Sequence, residues 1–428
     1  MIKRLLTCAP RSPRLSRVPR LPRLPARPLL VGVALSAACS GASGTTGQPQ
    51  GPGSDAAIGG DTVTADAPPP GPGAAPNPRG IFALGTAQDM RQTADDDRLS
   101  GIRDYDFVAG YTLRLFWRDI NPQKGSFDFS IVDQTVARLQ MNVHSRRLNI
   151  EIFATEVPAW VVTAADPANG GQGTWEHFQG GTQPVPWDPG AQQAWSDLMH
   201  ALAGHMVADS AAGASIPFSE HPVLVSVDSE VVGIGGIRDN AGATQPTPLV
   251  NHPGYQRQRF VDAVMGSVDA ARAAFPHRVR FLAYFAMKDG QDAAAGGASL
   301  DQALLGAVAA AYNGPGQPPL AVFQELLSDT APTDTSPLGQ NLTLAHQHGA
   351  PIMFQALTSW LLPFTSSNAS VASRNPATGI QRGFSTWQAR YFELYVADLD
   401  DASNGATDAM GRNIVDDLRQ WNNQLTAP

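Results

Sequence analysis

Eight short runs of apolar, β-branched and aromatic residues recur along the chain after residue 79, and amphipathic helical stretches lie between most of them. This alternation is typical of a parallel sheet assembled from β-α units. Eight strands joined by mostly local crossovers predict an α/β fold in which the sheet closes into a (β/α)8 TIM barrel, forming a single domain of the catalytic type. The eight runs are Gly80–Leu84, Thr112–Trp117, Leu148–Ala154, Val223–Glu230, Val279–Ala286, Leu320–Glu325, Pro351–Ala356 and Tyr391–Val396.

The competing architecture is an open, doubly wound sheet, which usually carries a glycine-rich phosphate turn after its first strand. The segment Gly80–Gly85 lacks such a turn. In a barrel the functional groups come from the carboxyl ends of the strands and the loops that follow them, so the candidate residues are those at strand ends. The predicted helical stretches are Ile131–Leu139, Ala191–Met206, Tyr255–Phe275, Leu300–Tyr312, Asn341–His348 and Asn413–Leu425.

Composition indicates a large globular core and a neutral partner. Of the 428 residues, 43% are hydrophobic and 16% charged, which is too apolar for a mainly disordered chain. The formal net charge of -8 opposes a nucleic-acid partner, because such proteins need clustered Lys and Arg to replace counterions on the phosphates. Since no residue spacing resembles a zinc site or a phosphate-binding loop, neither a metal nor a cofactor is expected.

The first 39 residues have the features of an export signal. Arginine recurs from Arg11 to Arg27, an apolar run follows at Leu29–Leu35, and small residues lead to Cys39. The apolar run is far shorter than the ~20 residues that span a bilayer, so residues 1–39 are predicted to be a secretory signal peptide. The stretch Leu35–Cys39 resembles a bacterial lipobox, in which the cysteine is acylated and becomes the mature N-terminus.

Lipidation at Cys39 predicts an exported protein anchored to the bacterial cell envelope, at the outer membrane or cell surface, with the lipid as its only membrane contact. The apolar Leu35 stands four positions before Cys39 instead of three, which leaves ordinary cleavage and release as the alternative. Residues 40–78 are rich in Gly, Ser, Thr, Ala and Pro and are predicted to form a disordered linker. The barrel domain is predicted over residues 79–428.

Four motifs follow one another in order along the second, third and fourth predicted strands. They are the segment Leu113–Phe129, the Pro-Ala-Trp at Pro158–Trp160, the Trp-Asp-Pro at Trp187–Pro189, and the strand His221–Glu230, which ends in Asp-Ser-Glu. In this order the motifs resemble those of β-galactosidase-like and related retaining glycoside hydrolases of clan A. The resemblance is architectural alone after residue 235. It implies a TIM barrel that hydrolyses glycosidic bonds of oligo- or polysaccharide without a cofactor.

The chemistry of that family needs two carboxyl groups flanking the glycosidic bond. Glu230 matches the family's general acid/base, although Ser229 replaces the Asn that precedes it there. Burial at the strand end is expected to raise the pKa of Glu230, and Asp228, two residues earlier on the same side of the strand, is expected to raise it further. The competing interpretation is that Asp228 and Glu230 only bond barrel backbone or a helix N-terminus.

The second carboxylate is displaced from the position that the resemblance implies. In the family the nucleophile ends the seventh strand, where this chain has Gln355, and an amide cannot hold a covalent intermediate. Glu325 on the sixth strand is the favoured substitute, with the alternative that strand alternation turns Glu325 outward and Gln324 inward. Glu393 on the eighth strand is predicted either to accept a sugar hydroxyl or to be a structural partner of Arg114.

Aromatic and polar residues at strand ends complete the predicted site. Trp117, Trp160 and Trp360 each follow a strand and are predicted to stack on the apolar faces of sugar rings, with core packing as the alternative for each. Arg114 matches a barrel arginine that supports the catalytic carboxylates in the family. The alternative interpretation is that Arg114 forms a core salt bridge with no catalytic part. The other predicted substrate-binding residues are Glu156, Asp228, Gln355 and Glu393.

The sequence leaves three functions open. The favoured one is a glycoside hydrolase with Glu230 and Glu325 as its catalytic pair. The alternative is a catalytically inactive, carbohydrate-binding surface lipoprotein on the same fold, which Gln355 favours. A third is an inverting or substrate-assisted enzyme that uses Glu230 with Asp228.

Overall fold

Eight parallel strands close into a barrel, and each strand pairs with its neighbours in chain order until the last returns to the first. The (β/α)8 fold predicted from the eight runs is therefore confirmed. The structure is a computed structural model that describes residues 78–84, 105–142, 144, 146–153, 157–176, 181–228, 249–276, 278–282, 289, 299–313, 320–361 and 369–427. The barrel strands are β1 (Gly80–Leu84), β2 (Gly110–Phe116), β3 (Arg147–Phe153), β4 (Leu224–Asp228), β5 (Val279–Leu282), β6 (Ala321–Leu327), β7 (Ile352–Ala356) and β8 (Tyr391–Tyr395).

Helices surround the barrel. Three of them begin with a polar cap followed by proline, because Asp188, Ser336 and Asn375 each accept a backbone N–H bond and the next residue is already restricted to helical φ. The described helices are α1 (Trp117–Ile120), α2 (Ser130–Gln140), α3 (Ala159–Ala165), α4 (Pro189–Gly204), α5 (Arg257–Ala274), α6 (Leu300–Tyr312), α7 (Pro337–Gln347), α8 (Pro376–Trp387), α9 (Val396–Ser403) and α10 (Ile414–Thr426). Across these ranges, no helix is both long and apolar enough to cross a bilayer.

Two short antiparallel hairpins lie in the connections between barrel strands. One pairs Thr174–Glu176 with Thr182–Pro184, and the other pairs Met206–Asp209 with Ala214–Pro217. The second hairpin begins at Met206, the residue at which the helix predicted after the third strand was expected to end, so the prediction that this helix continues to Met206 is wrong. The chain leaves the helix after Gly204, and His205 is already extended.

The outer face of the sheet is apolar and packs directly on the helices. In α8 a side chain at Gly383 would lie 2.7 Å from the ring of Phe392 and 3.0 Å from that of Phe354, so the helix approaches β7 and β8 as closely as a glycine permits. On the other side of the barrel, Trp195 of α4 is fully buried against Trp117. The contacts of Gly383 show that Phe354 and Phe392 lie on the side of β7 and β8 that faces the helices.

The inner face of the barrel is polar over much of its height. Arg114 of β2 bonds Gln355 of β7, and Arg280 of β5 bonds Glu393 of β8. Neither pair of strands is adjacent, so these bonds can only cross the interior. Residues at alternate positions from these four therefore also point inward.

Candidate active site

Six ionisable side chains meet inside the barrel and are here called the barrel-interior cluster. They are Arg114, Glu151, Asp228, Arg280, Glu325 and Glu393, and none is more than 9% exposed. Barrels of this type are usually filled by branched apolar residues. A buried group of four carboxyls and two guanidiniums therefore marks this interior as the candidate site.

Arg114 bridges two strands of the cluster. Its Nε donates to Glu151 Oε2 at 2.6 Å and its Nη2 donates to Gln355 Oε1 at 2.7 Å. Burial alone would lower the pKa of Arg114, but Glu151, followed by Tyr395 and Glu325, raises it above the ordinary value. The guanidinium is thus a fixed positive charge that interacts electrostatically with Glu325, the predicted second carboxylate. It also forms a buried salt bridge with Glu151, which was the alternative interpretation of Arg114.

Arg280 and Glu393 form a second ion pair, which crosses the barrel interior. Arg280 Nη1 lies 2.8 Å from Glu393 Oε1, and the same oxygen accepts hydrogen bonds from Asn149 Nδ2 at 3.1 Å and from the Tyr391 hydroxyl. The guanidinium also lies over the ring of Phe323, 3.7 Å from its centroid. Glu393 is a structural partner as predicted, but its direct partner is Arg280 and not Arg114. Since Glu393 is fully buried, the expectation that it accepts a sugar hydroxyl is wrong.

Glu151 and Arg280 are the two members of the cluster that the sequence analysis did not identify. The carboxyl group of Glu151 is fully buried, and burial is the largest of the effects that raise its pKa to about 8, against the opposing charge of Arg114. Its Oε1 has no hydrogen-bond partner among the residues that the structure describes. The available signal was the pattern of β3, in which Asn149 and Glu151 alternate with buried isoleucines.

Glu325 faces the barrel interior. It lies two residues after Phe323, whose ring contacts Arg280, and its charge acts on both Arg114 and Glu151. Gln324 lies beside Phe354 in the register of β6 and β7, on the side that packs against the helices. The alternative in which Glu325 points outward is therefore wrong.

Asp228 is the last residue of β4 and Gln355 is the last residue but one of β7, so both lie near the carboxyl-terminal edge of the barrel. Asp228 is buried, pairs in register with Arg280 and acts on it electrostatically, which places the aspartate on the inner face as expected. Gln355 is buried and its oxygen is occupied by Arg114. Contact of either residue with a substrate stays a prediction.

Two of the three predicted tryptophan platforms are wrong. Trp117 is fully buried, meets Trp195 edge-on at 5.5 Å and donates to Asn121 Oδ1 at 3.3 Å. Trp360 is also fully buried, donates to Asp329 Oδ1 at 2.8 Å and packs under α8. Both rings follow a strand, but the chain has turned outward there, so they fill the layer between sheet and helices.

Trp160 remains a candidate platform because it is only partly buried. Its Nε1 donates to the carbonyl oxygen of Asn121 at 3.1 Å, which fixes the ring at the start of α3. Three other predicted residues, Glu156, Glu230 and Cys39, lie outside the described residues. Their roles stay predictions. Within the described ranges, no group of three or more His, Cys, Asp or Glu is arranged to hold a metal ion.

Comparison with known proteins gives the fold. No protein-family model and no curated protein matches the sequence. Among solved structures, the catalytic domain of beta-amylase from Paenibacillus polymyxa is 12% identical over 82% of this chain and 99% of that chain, with a TM-score of 0.51. A beta-galactosidase from the psychrophilic Marinomonas ef1 is 9% identical, over 81% of this chain and 59% of that one, with a TM-score of 0.45. A psychrophilic glycoside hydrolase family 10 endo-beta-1,4-xylanase is 10% identical, over 74% of this chain and 86% of that one, with a TM-score of 0.40.

At such low identity the likeness to the beta-amylase domain shows the fold and nothing finer. That fold agrees with the strand order of the barrel. The chain is thus a (β/α)8 barrel whose inner face carries a buried cluster of acids and arginines.

Proposed function

We propose that this protein is a glycoside hydrolase that cleaves oligo- or polysaccharide by carboxylate acid/base catalysis at the carboxyl-terminal face of its barrel. The observation that carries the proposal is the position of Glu325, which faces the interior near the end of β6, within electrostatic reach of Arg114. A carboxyl group is one of the side-chain groups that serve as the nucleophile or the general base in such a reaction. The beta-amylase name of the matching barrel agrees with a carbohydrate substrate.

In this proposal Glu230 is the general acid and Glu325 is the second carboxyl group. Glu230 lies two residues after the described end of β4 at Asp228, and β4 and β6 are parallel strands that end at the same edge of the barrel. A carboxyl separation of ~5 Å would give retention of configuration, and a larger separation with room for water would give inversion. The stereochemistry of the product is therefore part of the test.

The same proposal places the enzyme outside the cytoplasm, tethered through Cys39 to the cell envelope. The leader sequence supports export, and a polysaccharide too large to enter the cell would be met there. The lipid is then the only membrane contact.

A second function, carbohydrate binding without turnover, is favoured by one observation. Gln355 occupies the β7 position at which the resembled family has its nucleophile, and its oxygen is engaged by Arg114. A barrel that has lost the nucleophile can retain a sugar-binding cleft. This alternative requires that Glu325 does not replace the missing carboxylate.

The two functions separate in one experiment. The purified protein is assayed against a broad panel of glycans and nitrophenyl glycosides, together with Glu230→Gln, Glu325→Gln and the control Glu220→Gln, an exposed residue ahead of β4. Hydrolysis that falls about 10²- to 10⁴-fold in the first two variants and is unchanged in the control supports the hydrolase. Glycan binding without release of sugar, unaffected by Glu230→Gln, supports the binding protein. Release of no sugar and binding of none would contradict both.

A further inference from the structure

Four residues at the carboxyl-terminal face surround a small polar space, here called the Gly254 niche. Trp187 lies just before α4, His252 and Gly254 lie just before α5, and Arg259 is in the first turn of α5. Since α5 ends shortly before β5 begins, its first turn lies at the face where the strands end. A Cβ atom on Gly254 would lie 3.2 Å from Arg259 Nη1, 3.4 Å from His252 Nδ1 and 3.5 Å from Trp187 Nε1. Three side-chain nitrogen atoms therefore converge on a position that Gly254 leaves open.

The indole N–H of Trp187 is a buried donor next to this open position. Trp187 is 7% exposed, and its Nε1 has no hydrogen-bond partner in the described part of the chain. A buried donor without an acceptor is costly, and such a group in a folded protein requires an explanation. An acceptor that enters the niche from outside the chain would provide one.

The other two side chains of the niche also offer N–H groups. His252 Nδ1 accepts the backbone N–H of Gly254 at 3.1 Å, so the proton of the neutral imidazole lies on Nε2, which has no partner among the described residues. Arg259 donates to the carbonyl oxygen of Gly254 at 3.1 Å and to Gln172 Oε1, and within the described ranges it has no carboxylate partner. Both side chains are half-buried and can be reached from solvent.

The acids near the niche are already engaged. Asp188 accepts the backbone N–H groups of Ala191 and Gln172, one on each oxygen and both at 2.8 Å. Asp289 pairs with Arg257 and accepts the hydroxyl of Tyr255. The niche is thus lined by donors and one cation.

The net charge of the chain does not oppose an anion at this position. The formal net charge of -8 favoured a neutral partner in the sequence analysis. However, charges separated by more than ~10 Å in solvent are largely screened at ordinary ionic strength. The groups that line the niche therefore decide which ligand binds there.

We propose, on the premise of the carbohydrate substrate above, that the Gly254 niche is a subsite for the carboxylate of an acidic sugar, a uronate residue of the glycan. A carboxylate supplies only acceptors, as the donors of Trp187, His252 and Arg259 require, and its charge complements the guanidinium. The neutral sugar has a hydroxymethyl group at that position, which carries no charge and brings a donor of its own. The niche and the partly buried Trp160 lie at the same face, so one glycan can contact both.

Binding tests this subsite without hydrolysis. The Kd is measured by isothermal titration for trisaccharides of glucuronate, galacturonate and mannuronate, and for the same trisaccharides after reduction of their carboxyl groups to alcohols. The wild type is expected to bind at least one uronate about tenfold more tightly than its reduced form. Equal affinity for every uronate and its reduced form would overturn the proposal.

Gly254→Ala fills the niche without removing any of its donors. Gly254 does not have a positive φ, so alanine suits its backbone, and the nearest contact of the new methyl group is the flexible end of Arg259. Gly254→Ala and Arg259→Gln are each expected to bring the Kd for the uronate to within about threefold of that for its reduced form. The controls are Gly306→Ala, where a Cβ meets nothing within 4 Å, and Arg138→Gln at an exposed position of α2. Both controls should keep the wild-type preference, and a preference that survives Gly254→Ala and Arg259→Gln would contradict the proposal.

The indole proton of Trp187 reports on the niche directly. Its NMR resonance, identified by its loss in Trp187→Phe, is expected to move when the preferred uronate is added and to stay in place with the reduced sugar. A resonance that does not move while the uronate binds would refute the niche as the binding site.

The subsite and the hydrolase function can fail separately. Selective binding of a uronate without release of sugar would support the subsite and refute the hydrolase. Release of sugar from neutral glycans, without a preference for any uronate, would support the hydrolase and refute the subsite.

Discussion

Arg280 and Glu393 bond each other across the interior of the barrel, not along neighbouring strands. Arg280 belongs to β5 and Glu393 to β8, and the two side chains are fully buried with Arg280 Nη1 2.8 Å from Glu393 Oε1. Since β6 and β7 separate their strands, the pair joins two parts of the sheet that are not neighbours. This ion pair therefore crosses the barrel interior and can form only when the barrel is closed.

Removing one residue of this cross-barrel ion pair is expected to be strongly destabilising. Arg280→Met leaves Glu393 buried without its counter-charge, and breaking a buried pair in this way typically lowers the free energy of unfolding by about 3–5 kcal/mol. Replacing both residues together, with Arg280→Met and Glu393→Leu, removes the unpaired charge and is expected to cost less than the single change. Urea unfolding of the two single variants and the double variant measures the coupling.

The matched comparison is the exposed pair of Arg419 and Asp106, which lie 2.8 Å apart with side chains 42% and 48% exposed. Arg419→Met is expected to change the free energy of unfolding by at most about 1 kcal/mol. If Arg280→Met lowered the free energy of unfolding by no more than Arg419→Met, the cross-barrel ion pair would not be important for the stability of the barrel.

Asp398 is expected to make stability depend on pH. It accepts hydrogen bonds from the Ser359 hydroxyl and from the backbone N–H groups of Trp360 and Leu361, which hold the segment after β7. Burial, the largest effect, raises its pKa from 3.8 to about 6. Between these values the folded chain retains a proton that the unfolded chain has lost, so stability from this group is complete below pH 3.8 and lost as pH rises through about 6.

The size of this effect is on the order of 3 kcal/mol, since each pKa unit corresponds to about 1.4 kcal/mol. Asp398→Asn cannot titrate and should flatten the fall in the free energy of unfolding over that interval. Asp262→Asn, a change at an exposed position of α5, serves as the control and should leave the slope unchanged. Urea unfolding at a series of pH values measures both, and an equal slope in wild type and Asp398→Asn would contradict the assignment.

The pattern of apolar residues was sufficient to predict the barrel strands, because the strands are short apolar runs with clear limits. The first predicted run, Gly80–Leu84, coincides with β1, and β6 extends only to Leu327, two residues past its predicted end. The helix α8 was not predicted, since Gly379 and Gly383 lower the helix propensity of its sequence. Those glycines are required by the close approach of α8 to Trp360 and Phe392, which only the folded chain reveals.

The sequence predicts which residues of a strand face the candidate site, but it does not predict which side chains bond each other there. Alternation along a strand indicates that Asn149 and Glu151 share one side, but it does not reveal that Arg114 of the next strand reaches Glu151 or that Asn149 reaches Glu393 across the barrel. These contacts depend on closure and on the stagger of the strands. The predictions for Trp117 and Trp360 were wrong for a related reason, because a side chain beyond the end of a strand can turn either to the barrel interior or to the layer between sheet and helices.

Trp117 and Trp160 are expected to respond differently to substitution. Trp117→Phe removes the bond to Asn121 and part of the contact with Trp195, so the free energy of unfolding should fall by about 1–3 kcal/mol while glycan Kd is unchanged. Trp160→Ala should instead raise the glycan Kd about tenfold, equivalent to about 1.4 kcal/mol of lost stacking. Isothermal titration and urea unfolding on the same preparations separate the two effects. A rise in Kd for Trp117→Phe without one for Trp160→Ala would reverse the assignment.

Cys39 is expected to carry the lipid that anchors the protein. The sequence has two cysteines, and the other, Cys8, lies in the basic part of the leader, so Cys8→Ser is the natural control for Cys39→Ser. Expression in a bacterial host supplied with a clickable fatty acid should label the wild type and Cys8→Ser, whereas Cys39→Ser should lose the label and move from the membrane fraction to the soluble fraction, because one tether is the only membrane contact expected. An exported wild-type protein that carries no label would show that Leu35, one position too far from Cys39, leads to ordinary cleavage and release.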